Sequence, residues 1–142
     1  MLDRLRSLFN QAEAEPKLDP AVAATALLFE VAWADHDISE KERKVMQRVL
    51  LEQFDVPAER FQQILEETEQ THKSSVGVFP FTRAINEQLD QDEKVSIIQA
   101  MWQIAYADRS LDVFEEHTIR RISDLLYVSH SDFIAAKLAV RR

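Results

Sequence analysis

Two stretches of the sequence decide the fold: Glu30 to Glu42 reads EVAWADHDISEKE, and Gln103 to Glu115 reads QIAYADRSLDVFE. The two align without a gap, and an aromatic residue, an aspartate, an aliphatic residue and a glutamate recur at matching places. An apolar run with helical spacing comes before each stretch, and another follows it. The match therefore predicts one helix–acidic loop–helix unit that occurs twice in the chain.

Glycine usage and apolar spacing both indicate an all-α fold. The chain has one glycine, Gly77, where average usage would give about ten, and tight β-hairpins need glycine at turns with positive φ. Residues that commonly begin helices precede the apolar stripes, at Asp19-Pro20, Ser39, Pro57, Asp90, Asp112 and Ser129 or Ser131. We expect a compact all-α domain of about seven or eight helices. The first of them is amphipathic, with an apolar stripe of Leu2, Leu5, Leu8, Phe9 and Ala12.

The length predicts a single domain over residues 1–142. Within it, the first unit spans about residues 20–70, a connector spans 71–89, and the second unit spans about 90–140. The connector is least regular from Thr71 to Phe81 and holds a short helix near Thr82 to Leu89. Its apolar corner, Phe79-Pro80-Phe81, either folds over the core or docks a partner. Because one helical pair cannot bury its stripe alone, we expect the units to pack about a pseudo-two-fold axis.

Composition and charge exclude several classes of function. The chain has no cysteine, so it holds neither a disulfide framework nor a thiolate zinc site. Its net charge of −8 disfavours nucleic acid as a partner. The N-terminus lacks the apolar core of a secretion signal, and the longest near-apolar run, Ala21 to Phe29, is too short for a membrane span. We expect a cytoplasmic protein without an integral membrane segment. It has no glycine-rich phosphate loop and no nucleophile elbow, so we do not expect an enzyme.

The duplicated pattern also carries a resemblance. Ala-aromatic-Ala-Asp-x-x-(Ile/Leu)-(Ser/Asp)-x-x-Glu resembles the signature of TerB-like domains, which also occur in DjlA-type co-chaperones, and the similarity runs from about Ala21 to Phe133. The resemblance implies a helical domain linked to tellurite resistance and to stress responses at the membrane, with acidic residues proposed to bind metal ions. The family usually has glycine directly after the motif aspartate, where this chain has His36 and Arg109.

The acidic loops supply the oxygen ligands that hard divalent cations such as Ca²⁺ and Mg²⁺ require, and Mn²⁺ and Zn²⁺ are further candidates. The candidate metal ligands are Asp35, Asp37, Ser39 and Glu42 in the first unit, and Asp108, Ser110, Asp112 and Glu115 in the second. Neither loop is an EF-hand, because both lack the glycine at loop position six and the glutamate at position twelve. No other cofactor is indicated.

Helix capping explains part of the same pattern without a metal. Ser39-x-x-Glu42 and Asp112-x-x-Glu115 fit a capping box or a close relative of one, which satisfies backbone N–H groups at a helix start. Such a cap stabilises a helix by ~0.5–2 kcal/mol. The two explanations are compatible if a capping side chain shares its remaining lone pairs with an ion. Trp33 and Tyr106, just before the loops, are expected to be core aromatics that support the turn. The histidines show no metal-ligand spacing.

Two functions remain open from the sequence. The first is a non-enzymatic stress-response module that binds divalent cations through its two acidic loops. The second is a metal-independent helical module for protein–protein interaction near the membrane, with a membrane-associated stress complex as its partner.

Overall fold

The structure is a computed structural model that describes residues 18–34, 38–73, 77–107 and 112–140. These residues form helices without any strand: α1 (Pro20–Ala32), α2 (Glu40–Phe54), α3 (Ala58–Lys73), α4 (Phe79–Gln88), α5 (Gln91–Ala105), α6 (Val113–Leu125) and α7 (His130–Val140). The predicted all-α class and number of helices are confirmed. The predicted amphipathic helix near the N-terminus lies outside the described residues.

Most of the predicted helix starts hold a side chain that caps the helix. Asp19 Oδ1 accepts a hydrogen bond from Ala21 N at 2.9 Å, and Pro20 occupies the first turn of α1. Ser129 Oγ accepts from Asp132 N at 3.1 Å at the start of α7. The short helix of the connector begins at Phe79 rather than near Thr82. The earlier start has a physical reason. Pro80 follows Phe79 in the first turn, where backbone N–H groups have no partner within the helix, so a residue without an N–H is well suited there.

Two helices end at residues with left-handed backbone that are not glycine. Asp55, after α2, has φ 54°, and Tyr127, after α6, has φ 59°. The next amide in each case folds back on the helix: Val56 N donates to Leu50 O at 3.0 Å, and Val128 N donates to Ser123 O at 3.0 Å. Aspartate and tyrosine thus fill the positions where glycine is usual, which explains how a helical chain closes these turns with so little glycine.

The core is built around α1 and α5. Most side chains of α1 are buried, among them Leu27, Leu28 and Val31, and the helix packs against each of α2 to α6. A helix that is apolar on nearly every side belongs inside a bundle rather than at its surface. The fully buried residues of α5, such as Met101 and Trp102, extend the same hydrophobic cluster.

The packing of the two units is reciprocal. The central helix α1 contacts α6, which follows α5 in the chain. The central helix α5 contacts α2, which follows α1. Similarly, α3 packs on α1 and α7 packs on α5. Reciprocal contacts of this kind are what a two-fold relation between equivalent elements produces. They support the predicted internal duplication, whose pseudo-two-fold axis stays a prediction, as does the division into domain, units and connector.

Candidate functional site

The first candidate loop joins α1 to α2. Trp33 is the C-terminal cap of α1, and Ala34 N donates to Val31 O at 3.3 Å. At the start of α2, Ser39 Oγ accepts from Glu42 N at 3.1 Å, and Glu42 Oε1 accepts from Ser39 N at 2.9 Å. This is the complete capping box that the sequence predicted. Glu42 is buried, at 3% exposure, so its carboxylate is held against the backbone at the helix start rather than extended into solvent.

The second loop joins α5 to α6, and the described residues at its two ends make similar contacts. Tyr106 caps the end of α5, and Ala107 N donates to Ile104 O at 3.1 Å. Asp112 Oδ1 accepts from Phe114 N at 2.7 Å, one residue earlier in the helix than the bond in the first unit. Asp112 therefore caps α6 as predicted, through the amide of Phe114, and the predicted pairing of Asp112 with Glu115 stays a prediction. Glu115, which corresponds to Glu42 in the sequence match, is likewise buried, at 4% exposure.

Stacked aromatic rings support the end of both loop-preceding helices. Trp33 stacks on Phe29 with 5.9 Å between ring centroids, and Tyr106 stacks on Trp102 with 6.0 Å. Trp33 and Tyr106 are half-buried at the edge of the core rather than within it as predicted, and their stacking agrees with the predicted supporting role. The two partner rings, Phe29 and Trp102, were not identified from the sequence. They could have been found, because an aromatic residue stands one helical turn before each motif aromatic.

In the second unit, the charged side chain of Lys137 contacts the buried indole ring of Trp102. The Trp102 ring is fully buried and lies 5.2 Å from the ring of Phe133. Lys137 Nζ stands 5.1 Å from the Trp102 ring centroid and 3.2 Å from Glu116 Oε1. Because the lysine and the glutamate are on α7 and α6, this contact joins three helices. Nothing in the sequence motif indicated it, since the residues are far apart in the chain.

The predicted metal ligands divide into two groups. Ser39, Glu42, Asp112 and Glu115 are described, and each lies in the first turn or the cap of α2 or α6. Asp35, Asp37, Asp108 and Ser110, like His36 and Arg109, lie outside the described residues. Within the described ranges, no three side chains of histidine, aspartate or glutamate are grouped closely enough to hold a metal ion. The metal site therefore stays a prediction.

The donor chemistry of the described ligands fits a hard cation. A carboxylate oxygen and a hydroxyl oxygen each carry more than one lone pair, and each capping bond uses one. Oxygens of the kind found in Ser39, Glu42 and Asp112 can therefore accept a capping hydrogen bond and also ligate a cation. The capping bonds also fix the positions of these oxygens, which lowers the entropy lost when an ion binds.

Large apolar side chains are exposed near the second loop and on α4. Val113 and Phe114, in the first turn of α6, are 76% and 66% exposed. The corresponding residues of the first unit, Glu40 and Lys41, are charged. In the apolar corner of the connector, Phe79 is 65% exposed while Phe81 is half-buried, so the corner is only partly folded over the core.

The remaining histidines do not add to either loop. His117 and His130 are exposed on α6 and α7, and His130 stacks on Phe133 with 6.0 Å between centroids. The side chain of His72 lies outside the described part of the chain. None of the seven described helices combines the length and the apolar character that crossing a membrane requires.

Comparison with known proteins gives one family. The family model described as tellurite resistance protein TerB matches residues 21–138, which is most of the chain. A comparison with curated proteins and a comparison with solved structures each give no significant match. The matched range contains both helix–loop–helix units, all seven helices except the ends of the first and the last, and every candidate metal ligand. The chain belongs to the TerB family of tellurite resistance proteins.

Proposed function

We propose that this protein is a non-enzymatic stress-response module of the cytoplasm whose two acidic loops bind divalent cations. The observation that carries the proposal is the pair of buried glutamates, Glu42 and Glu115, at matching places in the first turns of α2 and α6, just after the two loops. Buried carboxylates are costly unless hydrogen bonds or cations compensate their charge. In the first unit Ser39 N supplies one such bond and so fixes a carboxylate oxygen at the end of the loop, where a cation could bind it.

Loop composition supports the choice of ligand. In the sequence, the residues before each buried glutamate add Asp35 and Asp37 in the first loop, and Asp108 and Ser110 in the second. Oxygen-only donor sets of this kind suit Ca²⁺ or Mg²⁺ better than a soft metal. Binding at both loops would change how the two helical units are held against each other. α1 packs on α6, which follows the second loop, and α5 packs on α2, which follows the first loop.

The two tryptophans allow the first loop to be tested separately. Trp33 is half-buried and lies two residues before Asp35, whereas Trp102 is fully buried. In a Trp102→Phe variant, Trp33 is the sole tryptophan, so its fluorescence reports on the first loop. We expect a saturable change on titration with Ca²⁺ or Mg²⁺, and its loss in Asp35→Asn. Asp92→Asn, a change of equal charge at an exposed site on α5, is the matched control and should keep the response.

A second candidate function rests on a different observation, the exposed Val113 and Phe114 beside the second loop. A metal-independent interaction module would use this pair as an apolar contact for a protein partner near the membrane. In that case Phe114→Ser should abolish partner capture in cell extracts, and a chelator should have no effect on it. If the cation module is correct, the chelator should change the protein's unfolding while Phe114→Ser leaves the cation response intact.

A further inference from the structure

The outer side of α4 carries an exposed apolar surface. Two open grooves flank Phe79. One, of about 510 Å³, is lined by Leu18, Pro80, Arg83 and Ala84 among others, and the other, of about 330 Å³, lies towards Leu125 and Tyr127. The polar groups on this side include Arg83 and Glu87, which form an ion pair at 3.1 Å. We call this area the α4 surface. Its exposed phenylalanine and paired charges favour an apolar occupant over a charged one.

The described chain begins at this surface. Leu18 lines the larger groove, and Gln88 Nε2 donates to Leu18 O at 2.7 Å. The next residue, Asp19, is bound to Arg60 at 2.7 Å and caps α1. The point at which residues 1–17 join the bundle is thus fixed at one end of the α4 surface, so this segment has a higher effective concentration there than any separate partner.

The segment that joins there has the matching chemistry. Leu2, Leu5, Leu8, Phe9 and Ala12 recur at helical spacing, whereas Ser7 and Asn10 fall on the opposite side of the same pattern. Five residues separate this stripe from Leu18, and a stretch of that length reaches up to ~17 Å. α4 has 10 residues and is therefore about 15 Å long. The stripe can reach the whole α4 surface.

We propose that the apolar stripe of residues 2–12 docks on the α4 surface and covers Phe79. This contact is independent of cation binding. It gives the amphipathic segment a place to bury its stripe within its own chain, and it occupies the groove that a second copy or another protein would otherwise use.

The cysteine-free sequence makes proximity directly measurable in the full chain. The pair Arg6→Cys and Arg83→Cys places one thiol beside the stripe and one on α4. The matched control pair, Arg6→Cys and Arg48→Cys, places the second thiol at an exposed site on α2, a helix that is not packed on α4. After treatment with a short bismaleimide, we expect the intramolecular cross-link of the α4 pair to exceed that of the α2 pair by about fivefold or more.

Two further variants test the stripe itself. Leu5→Asp together with Leu8→Asp should reduce the yield of the α4 pair to that of the α2 pair, whereas Ser7→Asp should leave it unchanged. Circular dichroism checks that each variant keeps its helices. Equal yields for the two pairs would overturn the proposal. So would a cross-link that joins only separate chains, because it would assign the α4 surface to a second copy.

Discussion

Ser39 and Glu42 cap each other at the start of α2: Ser39 Oγ accepts from Glu42 N at 3.1 Å, and Glu42 Oε1 accepts from Ser39 N at 2.9 Å. These two hydrogen bonds connect the end of the first acidic loop to the buried side chain of Glu42. The same two side chains are candidate cation ligands, so their structural and functional roles have to be separated by experiment.

Removing the serine hydroxyl should destabilise the protein. Ser39→Ala leaves Glu42 N without its cap, so we expect the free energy of unfolding to fall by about 0.5–2 kcal/mol. Ser131→Ala is the control. Ser131 is exposed near the start of α7, and the cap of that helix is supplied by Ser129 instead. Urea denaturation followed by circular dichroism measures both. An equal loss in the two variants would contradict a specific capping role for Ser39.

Replacing the capping glutamate with glutamine should separate capping from cation binding. Glutamine also serves in a capping box, so Glu42→Gln should change the free energy of unfolding by less than about 1 kcal/mol. The neutral amide is a weaker ligand for a hard cation, so the stabilisation by Ca²⁺ or Mg²⁺ should decrease. Thermal unfolding with and without the ion measures both effects. A cation response equal to that of the wild type would remove Glu42 from the ligand set.

Two of the ion pairs in the described part of the chain should differ in their contribution to stability. Lys137 and Glu116 are mostly covered and the lysine also contacts the Trp102 ring, so Lys137→Ala should lower the free energy of unfolding by about 1–2 kcal/mol. Arg83 belongs to an exposed pair within α4, and Arg83→Ala should cost less than about 0.5 kcal/mol. Chemical denaturation of both variants gives the comparison, and a larger loss for Arg83→Ala would be inconsistent with the packing of α6 and α7.

Glycine should be favourable at Asp55 and unfavourable inside a helix. Asp55 has φ 54°, a conformation that glycine adopts without steric cost, so Asp55→Gly should raise the free energy of unfolding by ~0.5–1 kcal/mol. Ala135→Gly, within α7 and exposed, should lower it by about 1 kcal/mol. Thermal melts of the two variants should shift in opposite directions, and shifts of the same sign would show that the turn after α2 is not closed in this way.

The sequence predicted the fold well because its signals are local. Asp19, Ser39, Asp90 and Ser129 were identified as helix starts from residue type alone, and each accepts a backbone hydrogen bond at the start of its helix. Capping depends on residues close together in the chain, so sequence spacing contains the information. The second capping box, between Asp90 and Glu93, was visible in the same spacing but was not recognised.

The contacts around the candidate site were less accessible from the sequence. The approach of Lys137 to Glu116 and Trp102 depends on how α5, α6 and α7 pack, and no short-range pattern encodes it. The left-handed conformation of Tyr127 was equally hidden, because tyrosine rarely adopts it. The cation ligands themselves stay a prediction, since ligand geometry depends on loop residues that local propensity does not determine.

The cation-dependent stability of the wild type, compared with that of a variant that lacks one carboxylate in each loop, tests the central proposal most directly. Differential scanning calorimetry of the wild type and of Asp35→Asn/Asp108→Asn, with Ca²⁺, Mg²⁺, Mn²⁺ or Zn²⁺, compares the proposed sites with a chain that lacks one ligand in each loop. A site specific to the folded state should add about 2.7 kcal/mol when the free ion is 100-fold above its Kd. We predict this stabilisation in the wild type and its loss in the double variant. No shift at millimolar ion, or an equal shift in both proteins, would contradict cation binding by the acidic loops.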